Sequence, residues 1–289
     1  MDDNNKATQS FNKIFIVDSL LDTDLQTGSE LYNDNIRWGT ERIPALESDF
    51  TRVNNKNDLV DFLKNVKAEV LNRKVGPIIH IEAHGDEEGL TLRSGENVLW
   101  EDLIEHLCVI NHGCGNNLLL TLAVCKGIYL TRIIKTIADI APFWAIIGPA
   151  EEVKAGHISR AFNQFYKELL YSFDGTKALN QLNSSIPPDA SKYSLVYCET
   201  LFREVFKGYF NTLCSGKAKR NRVERLLTET RKTKGGRPIS IPLLRRYLKE
   251  NLKKENQVLQ FEKFRRRFFM IDDYPENDER FPIKFEDCL

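Results

Sequence analysis

Two short apolar runs constrain the fold of this chain more than any other feature. They cover residues 77–83 and 118–124, are rich in Ile or Leu, and are each followed closely by a glycine. Runs of this length with such boundaries are typical of strands buried on both faces. Strands of that kind occur mainly in parallel sheets that are covered by helices on both sides. The two runs therefore predict an α/β protein with a central parallel sheet.

Strand-like and helix-like segments alternate through most of the chain. The other predicted strands are 13–18, 143–149 and 193–198, and the predicted helices are 58–73, 101–110, 128–140, 157–173 and 176–182. We also predict a hairpin at 89–100 with its turn near Ser94 and Gly95, whereas residues 23–56 show little periodicity. This alternation predicts a three-layer α/β/α sandwich with a mainly parallel central sheet.

Charge is distributed unevenly, although 41 basic and 41 acidic residues give a formal net charge of zero. Residues 217–270 contain 18 Lys and Arg but only five Asp and Glu. We therefore predict a first domain at residues 1–214 and a basic, mainly helical C-terminal extension at 215–289. The polar stretch that begins at Tyr274 predicts a flexible tail.

The basic extension has two interpretations. Its Arg and Lys side chains suit nucleic-acid phosphates, and its Phe and Tyr rings suit base stacking. Alternatively, its helices pack through an apolar stripe while the charges face solvent or an acidic protein surface. Nucleic acid is therefore a possible partner only indirectly or through residues 217–270.

His84 and Cys125 directly follow the two apolar runs. The carboxyl ends of parallel strands meet in one crevice, so these two side chains are expected to be neighbours. A thiol beside an imidazole can attack a peptide carbonyl, because the base raises the thiolate fraction and later protonates the leaving amine. The pair predicts covalent catalysis.

These residues belong to a longer pattern that resembles the caspase-like cysteine peptidases, and most closely their bacterial CHAT branch. The pattern consists of His84-Gly85 after a strand, Cys125-Lys126-Gly127 after a strand, the strand Trp144–Pro149, the helical segment Ala161–Leu169, and Lys177-Ala178-Leu179. The resemblance covers about residues 13–213. It implies a caspase-like sandwich and an endopeptidase that acts on a protein substrate.

The resemblance also implies roles for individual residues. His84 is expected to be the general acid and base and Cys125 the nucleophile, with the backbone amides of Gly85 and Cys125 forming the oxyanion hole. No metal and no cofactor are expected. The implied biology is a regulated effector in bacterial immunity or cell death, such as antiviral defence, and the implied partner is a regulatory protein or an activating complex.

The substrate pocket departs from the caspase pattern. Caspases carry Gln two positions before the cysteine, where it helps to read an acidic side chain, but this chain has Ala123. Cleavage after aspartate is therefore not indicated. A preference for Arg or Lys needs acidic groups, which Asp86, Glu87 or Glu151 could supply. The predicted substrate-binding residues are thus Asp86, Glu87, Ala123 and Glu151. The sequence does not predict which substrate side chain precedes the cleaved bond.

A metal site is the alternative for the first apolar run. His80, Glu82 and His84 alternate along a predicted strand, and imidazole and carboxylate groups on one face can bind a transition metal. The other interpretation is that His80 and Glu82 form hydrogen bonds that orient the wall of the site. The six cysteines contain no C-x-x-C pair, so their spacing does not indicate structural zinc.

The expected location is the cytoplasm. The first ten residues have neither the basic nor the apolar pattern of a secretory signal, and cysteines in a chain of that kind are expected to be reduced thiols. No apolar run reaches membrane-spanning length, so no membrane partner is expected. The functional alternative to a peptidase is a non-catalytic adaptor that binds nucleic acid or protein through its basic extension.

Overall fold

The computed structural model describes residues 10–134, 139–214, 216–232, 239–251 and 254–289. These residues form two compact units, the first made of residues 10–134 and 140–198 and the second of residue 139 and residues 199–289. The boundary predicted at 214/215 lies inside the second unit.

The strands of the first unit, among the described residues, are β1 (Lys13–Asp18), β2 (Glu47–Arg52), β3 (Pro77–Glu82), β4 (His84–Gly85), β5 (Gly89–Thr91), β6 (Asn97–Leu99), β7 (Leu119–Ala123), β8 (Ala145–Pro149) and β9 (Tyr193–Tyr197). Its α-helices are α1 (Thr27–Leu31), α2 (Arg37–Glu41), α3 (Lys56–Arg73), α4 (Trp100–Gly113), α5 (Leu130–Ile133), α6 (Ala155–Ser172) and α7 (Gly175–Ser184). A π-helical turn (Tyr32–Ile36) joins α1 to α2, and a 3-10 turn (Gly127–Tyr129) precedes α5.

Six strands form the central sheet in the order β2-β1-β3-β7-β8-β9. All neighbours pair in parallel except β8 and β9, which are antiparallel. β1, β3, β7 and β8 are buried along their whole length. The structure thus confirms a mixed α/β architecture with a mostly parallel central sheet. A second, three-stranded sheet contains β4, β5 and β6, and it includes the predicted hairpin.

Helices cover both faces of the central sheet. Successive side chains of a strand point to opposite faces, so Ile14 packs in the cluster that contains Phe162 and Tyr166 of α6. On the other face, the ring of Phe15 contacts the ring of Phe62 of α3 at a centroid distance of 6.4 Å. This arrangement is compatible with the predicted three layers.

The polar stretch 23–56 holds more structure than its sequence pattern indicates. It contains α1, α2 and the edge strand β2, whose side chains are half-buried or exposed. Helix α3 follows, and its N-cap is Asn55, whose side chain accepts a hydrogen bond from the Asp58 amide. The helix predicted at 128–140 is shorter, because α5 ends at Ile133, and residues 135–138 lie outside the described residues.

The second unit is mainly helical. It contains most of α8 (Cys198–Tyr209), which begins at the last residue of the first unit, a π-helical turn (Phe210–Cys214), α9 (Gly216–Lys232), α10 (Ile241–Asn251), α11 (Lys254–Phe268), α12 (Asn277–Arg280) and a 3-10 turn (Phe285–Cys288). Fully buried phenylalanine rings form its core: Phe202, Phe206, Phe261, Phe268, Phe269 and Phe281.

The C-terminal tail differs from the flexible segment that the sequence predicts. Asn277 is fully buried, and its side-chain amide donates a hydrogen bond of 2.8 Å to the Phe269 carbonyl. Asp278 forms an ion pair with Arg265, and the Phe281 ring stacks on Phe269. These contacts anchor the tail to the phenylalanine core, so its polar composition alone was misleading.

Candidate active site

β3 and β7 bring the ends of the two apolar runs to the same level. These strands are parallel neighbours, with Glu82 opposite Ala123. His84 and Cys125 each lie two residues beyond that pair, at the carboxyl edge of the sheet. Both residues therefore lie just beyond the ends of two adjacent strands.

Gly85 allows the two chain segments to approach each other. A Cβ atom at this position would lie 2.4 Å from Val124 Cγ1 and 2.8 Å from the Gly89 carbonyl oxygen. It would also lie 3.5 Å from the Cys125 carbonyl oxygen. Only glycine fits here without displacing its neighbours. The main chain after His84 consequently runs directly beside the main chain at Cys125.

Asp24 contacts His84, and no sequence pattern had singled it out. His84 Nε2 lies 2.9 Å from Asp24 Oδ2, and the two side chains are 57% and 26% exposed. The hydrogen bond with His84 is the largest cause that lowers the pKa of the Asp24 carboxyl below its usual value. The carboxylate is therefore ionised near neutral pH and accepts a hydrogen bond from the Nε2–H group of His84.

Cys125 is bound by the loop that follows β8. The Val153 amide donates to Cys125 Sγ at 3.3 Å, and the thiol donates to the Val153 carbonyl at 3.8 Å. In addition, the Lys126 amide donates to the Glu151 carbonyl at 3.2 Å. His84 and Cys125 thus use their hydrogen bonds on Asp24 and Val153, and among the described contacts none joins them to each other.

The four predicted substrate-binding residues have different surroundings. Ala123 is buried in the core. Asp86 Oδ1 accepts hydrogen bonds from the Glu88 and Gly89 amides, which shapes the turn after β4. Glu87 pairs with Lys126 at 3.2 Å, so an ion pair links the turn after β4 to the end of β7. Glu151 is exposed in the loop after β8.

His80 and Glu82 belong to a buried chain of hydrogen bonds. His80 Nδ1 lies 2.8 Å from Thr121 Oγ1, and His80 Nε2 lies 3.1 Å from Glu82 Oε1. The chain continues from Thr121 to the Tyr166 hydroxyl at 3.0 Å, and Thr27 donates to Glu82 at 2.7 Å. A consistent assignment has Tyr166 donating to Thr121, Thr121 to His80, and His80 to Glu82.

The structure contradicts the strand pattern on which the predicted metal site was based. The main chain leaves the central sheet at Ala83, and His84 belongs to the second sheet. His84 is therefore not on the strand face that His80 and Glu82 share. In the part of the chain that the structure describes, no group of three or more His, Cys, Asp or Glu side chains is arranged to hold a metal ion.

Two buried polar atoms at this end of the sheet have no hydrogen-bond partner among the described residues. They are Asp18 Oδ2 and the Tyr193 hydroxyl. Burial raises the pKa of Asp18, and the nearby Glu82 carboxylate adds to the effect. Burial also raises the pKa of Tyr193, with contributions from Glu82 and Cys125.

Comparison with family models and curated proteins identified no relative of this chain. The chain matches no protein-family model and no curated protein at a significant level. The resemblance to caspase-like peptidases thus depends on the quoted residues. Within the described residues, none of the helices combines the length and hydropathy that a bilayer span requires.

Proposed function

We propose that this protein is a caspase-like cysteine endopeptidase of the CHAT type. The observation that carries the proposal is that His84 and Cys125 each lie two residues beyond the paired ends, Glu82 and Ala123, of two neighbouring parallel strands. The close approach of the main chains at Gly85 and Cys125 supports it. Base and nucleophile must come within hydrogen-bond reach of each other, and adjacent strand ends allow that.

The proposed reaction needs only side chains and main-chain amides. The Cys125 thiol transfers its proton to His84, and the thiolate attacks the carbonyl carbon of the scissile peptide bond. The Gly85 and Cys125 amides stabilise the oxyanion; removing one such donor typically costs about 100- to 1000-fold in rate. The tetrahedral intermediate then expels the amine, which takes the proton from His84. Water, deprotonated by His84, hydrolyses the thioester and releases the acid product.

Before this reaction, the Cys125 sulfur has to exchange its Val153 contacts for His84. That change requires rotation of the thiol, movement of the loop 150–154, or both. Glu151, Glu152 and Lys154 are exposed on this loop, so a partner can reach it. We propose that a regulatory protein or the protein substrate contacts this loop in the cytoplasm, in an immune or cell-death response.

Labelling with peptidyl chloromethyl ketones tests the function. A set of these probes with Arg, Lys, Asp or Leu next to the reactive group is incubated with the wild type, Cys125→Ala and His84→Ala, and the adducts are located by mass spectrometry. We expect labelling of Cys125 in the wild type and its loss in His84→Ala, because the imidazole is needed to activate the thiol. The half-buried Cys108 is the internal control. Equal labelling of Cys108 and Cys125, or no effect of His84→Ala, would contradict the proposal.

An adaptor that binds nucleic acid is the second candidate, and the exposed basic side chains of the second unit favour it. Arg220, Arg231 and Lys232 of α9 and Arg246 and Lys249 of α10 are exposed. Its test is the binding of fluorescent oligonucleotides at several salt concentrations. Phosphate contacts predict an affinity that falls steeply with salt. Binding of that kind, in a protein whose Cys125 is unreactive, would favour the adaptor over the peptidase.

A further inference from the structure

The turn that carries Asp24 holds its carboxylate firmly. The Leu21 amide donates to Asp24 Oδ2 at 2.9 Å, and the Asp24 amide donates to the Leu21 carbonyl at 3.0 Å. The Gln26 side chain closes the turn by donating to the carbonyls of Leu21 at 2.7 Å and Asp24 at 3.0 Å. Arg52 in turn donates to Gln26. Asp24 Oδ2 therefore has a fixed position from which it meets His84.

This contact selects one protonation form of the His84 ring. Asp24 is ionised near neutral pH, so the nitrogen that faces it must carry the proton. In the neutral imidazole, Nε2 is then the donor and Nδ1 is the unprotonated nitrogen. Nδ1 has no hydrogen-bond partner among the described residues, and it is the nitrogen that can accept a proton.

We infer that Asp24 is a positioning residue for His84, fixing its ring in the Nε2-protonated form so that Nδ1 is the atom that exchanges a proton with Cys125. This inference rests on the proposed function. Asp24 acts only through the imidazole and is not expected to touch the substrate. When His84 takes the thiol proton, the ring becomes a cation, and the adjacent Asp24 carboxylate stabilises that charge.

The same turn offers a matched control. Asp22 is also acidic and is 74% exposed, but its carboxylate pairs with Arg93 and not with His84. Replacing either aspartate by asparagine removes one negative charge from the turn and preserves the side-chain shape. Asp24→Asn and Asp22→Asn therefore differ mainly in whether the contact with His84 is altered.

The first measurement is the tautomer of His84, which needs no substrate. Protein labelled with ¹⁵N-histidine is studied by long-range ¹H–¹⁵N correlation at neutral pH, and the His84 signals are identified by their loss in His84→Ala. In the wild type and Asp22→Asn we expect the Nε2-protonated form to dominate. In Asp24→Asn we expect a mixture of the two tautomers. An unchanged tautomer in Asp24→Asn would overturn the inference.

The second measurement is the rate at which Cys125 reacts with iodoacetamide and with the best chloromethyl ketone, followed from pH 5 to 9. We expect Asp24→Asn to slow both reactions by about 10- to 100-fold. This is less than the ~10⁴-fold effect of a buried triad aspartate, because His84 and Asp24 are partly exposed. Asp22→Asn should stay within about twofold of the wild type, and Asp24→Glu should recover part of the loss.

The two measurements separate failure of the inference from failure of the function. If His84→Ala abolishes labelling but Asp24→Asn changes neither tautomer nor rate, the peptidase proposal stands and the inference is wrong. If Asp24→Asn shifts the tautomer but His84→Ala leaves Cys125 labelling unchanged, the function is wrong, and with it the role in proton exchange assigned to Nδ1.

Discussion

His80 and His84 are four residues apart in one stretch of chain, but their surroundings differ in every respect. His80 is fully buried, both of its ring nitrogens are hydrogen bonded, and its ring edge packs on Phe162 and Tyr166. His84 is mostly exposed and is held by Asp24 through one nitrogen. An imidazole with both nitrogens engaged in a closed core has no nitrogen to offer a substrate. Among the described residues, the His84 imidazole is hydrogen bonded through Nε2 only, so its second nitrogen can still interact with a substrate or with the thiol.

The largest expected effect is on catalysis at His84. His84→Ala should lower peptide hydrolysis by about 1000-fold or more, because the acid and base of the proposed reaction are removed. The free energy of unfolding should change by less than about 0.5 kcal/mol, since the side chain is mainly exposed. Hydrolysis assays and urea denaturation of the same preparations measure the two effects. If His84→Ala lowered the free energy of unfolding by several kcal/mol, His84 would have a structural role like that of His80, and the contrast between the two histidines would be wrong.

His80→Ala should show the opposite balance. Removing the ring leaves a cavity against Phe162 and deprives Glu82 and Thr121 of a partner, which should cost about 3–5 kcal/mol of unfolding free energy. Urea denaturation followed by circular dichroism measures the loss. Any activity that persists in the folded fraction should stay within about tenfold of the wild type. A His80→Ala protein of normal stability and no activity would instead make His80 part of the chemistry.

Gly85→Ala tests how closely the chain passes Cys125. The added Cβ would meet Val124 Cγ1 and the Gly89 carbonyl, so we expect a loss of about 1–3 kcal/mol in stability together with reduced hydrolysis. Gly156→Ala in α6 is the control, because nothing lies within 4 Å of the corresponding Cβ. Equal stabilities for the two variants would show that a Cβ atom fits at position 85 and that the two chain segments are not in close contact there.

Asp18→Asn tests how the stability of the buried region around Glu82, the hydrogen-bond partner of His80, depends on pH. The pKa of Asp18 is raised by burial and by Glu82 on β3, while Arg52 and Arg93 act in the opposite direction. A carboxyl with a raised pKa binds its proton more readily in the folded state, so its contribution to stability is present at low pH and is lost as the pH rises through that pKa.

We therefore expect Asp18→Asn to raise the melting temperature by roughly 2 °C at a pH above the raised pKa of Asp18, because only there does the wild type carry a buried charge that the variant lacks. The difference should shrink as the pH is lowered, because the wild-type carboxyl then becomes protonated. Scanning calorimetry at pH 7.5 and in a series of more acidic buffers checks this. If the increase in melting temperature became larger as the pH was lowered, the pKa of Asp18 would be lowered and not raised in the folded state.

The sequence predicted the strands that precede His84 and Cys125, because burial on both faces demands continuous apolar residues. It also predicted the long helices α3 and α6, whose buried side chains recur at helical spacing. Edge strand β2 was missed, since a strand with one exposed side can consist of Glu, Ser, Asp and Thr and resembles a loop.

Residues that complete the candidate site were harder to predict for two physical reasons. Asp24 lies in a turn, where no periodicity links it to a histidine sixty positions later. Val153 acts through its amide and carbonyl, which every residue except proline possesses, so its side chain gives no signal. The buried chain from His80 to Tyr166 depends on pairing between β3 and β7, and a single sequence shows only that polar groups there need partners.

The polarity that hides β2 from a sequence pattern also affects how the molecule behaves at high concentration. An edge strand presents unpaired amides and carbonyls to which a second polypeptide can add, and long apolar edges invite such growth. β2 exposes Glu47, Asp49 and Arg52 along this edge of the central sheet. A strand that approached it would have to bring its own backbone past these charges. The features that made β2 look like a loop thus disfavour aggregation through this edge.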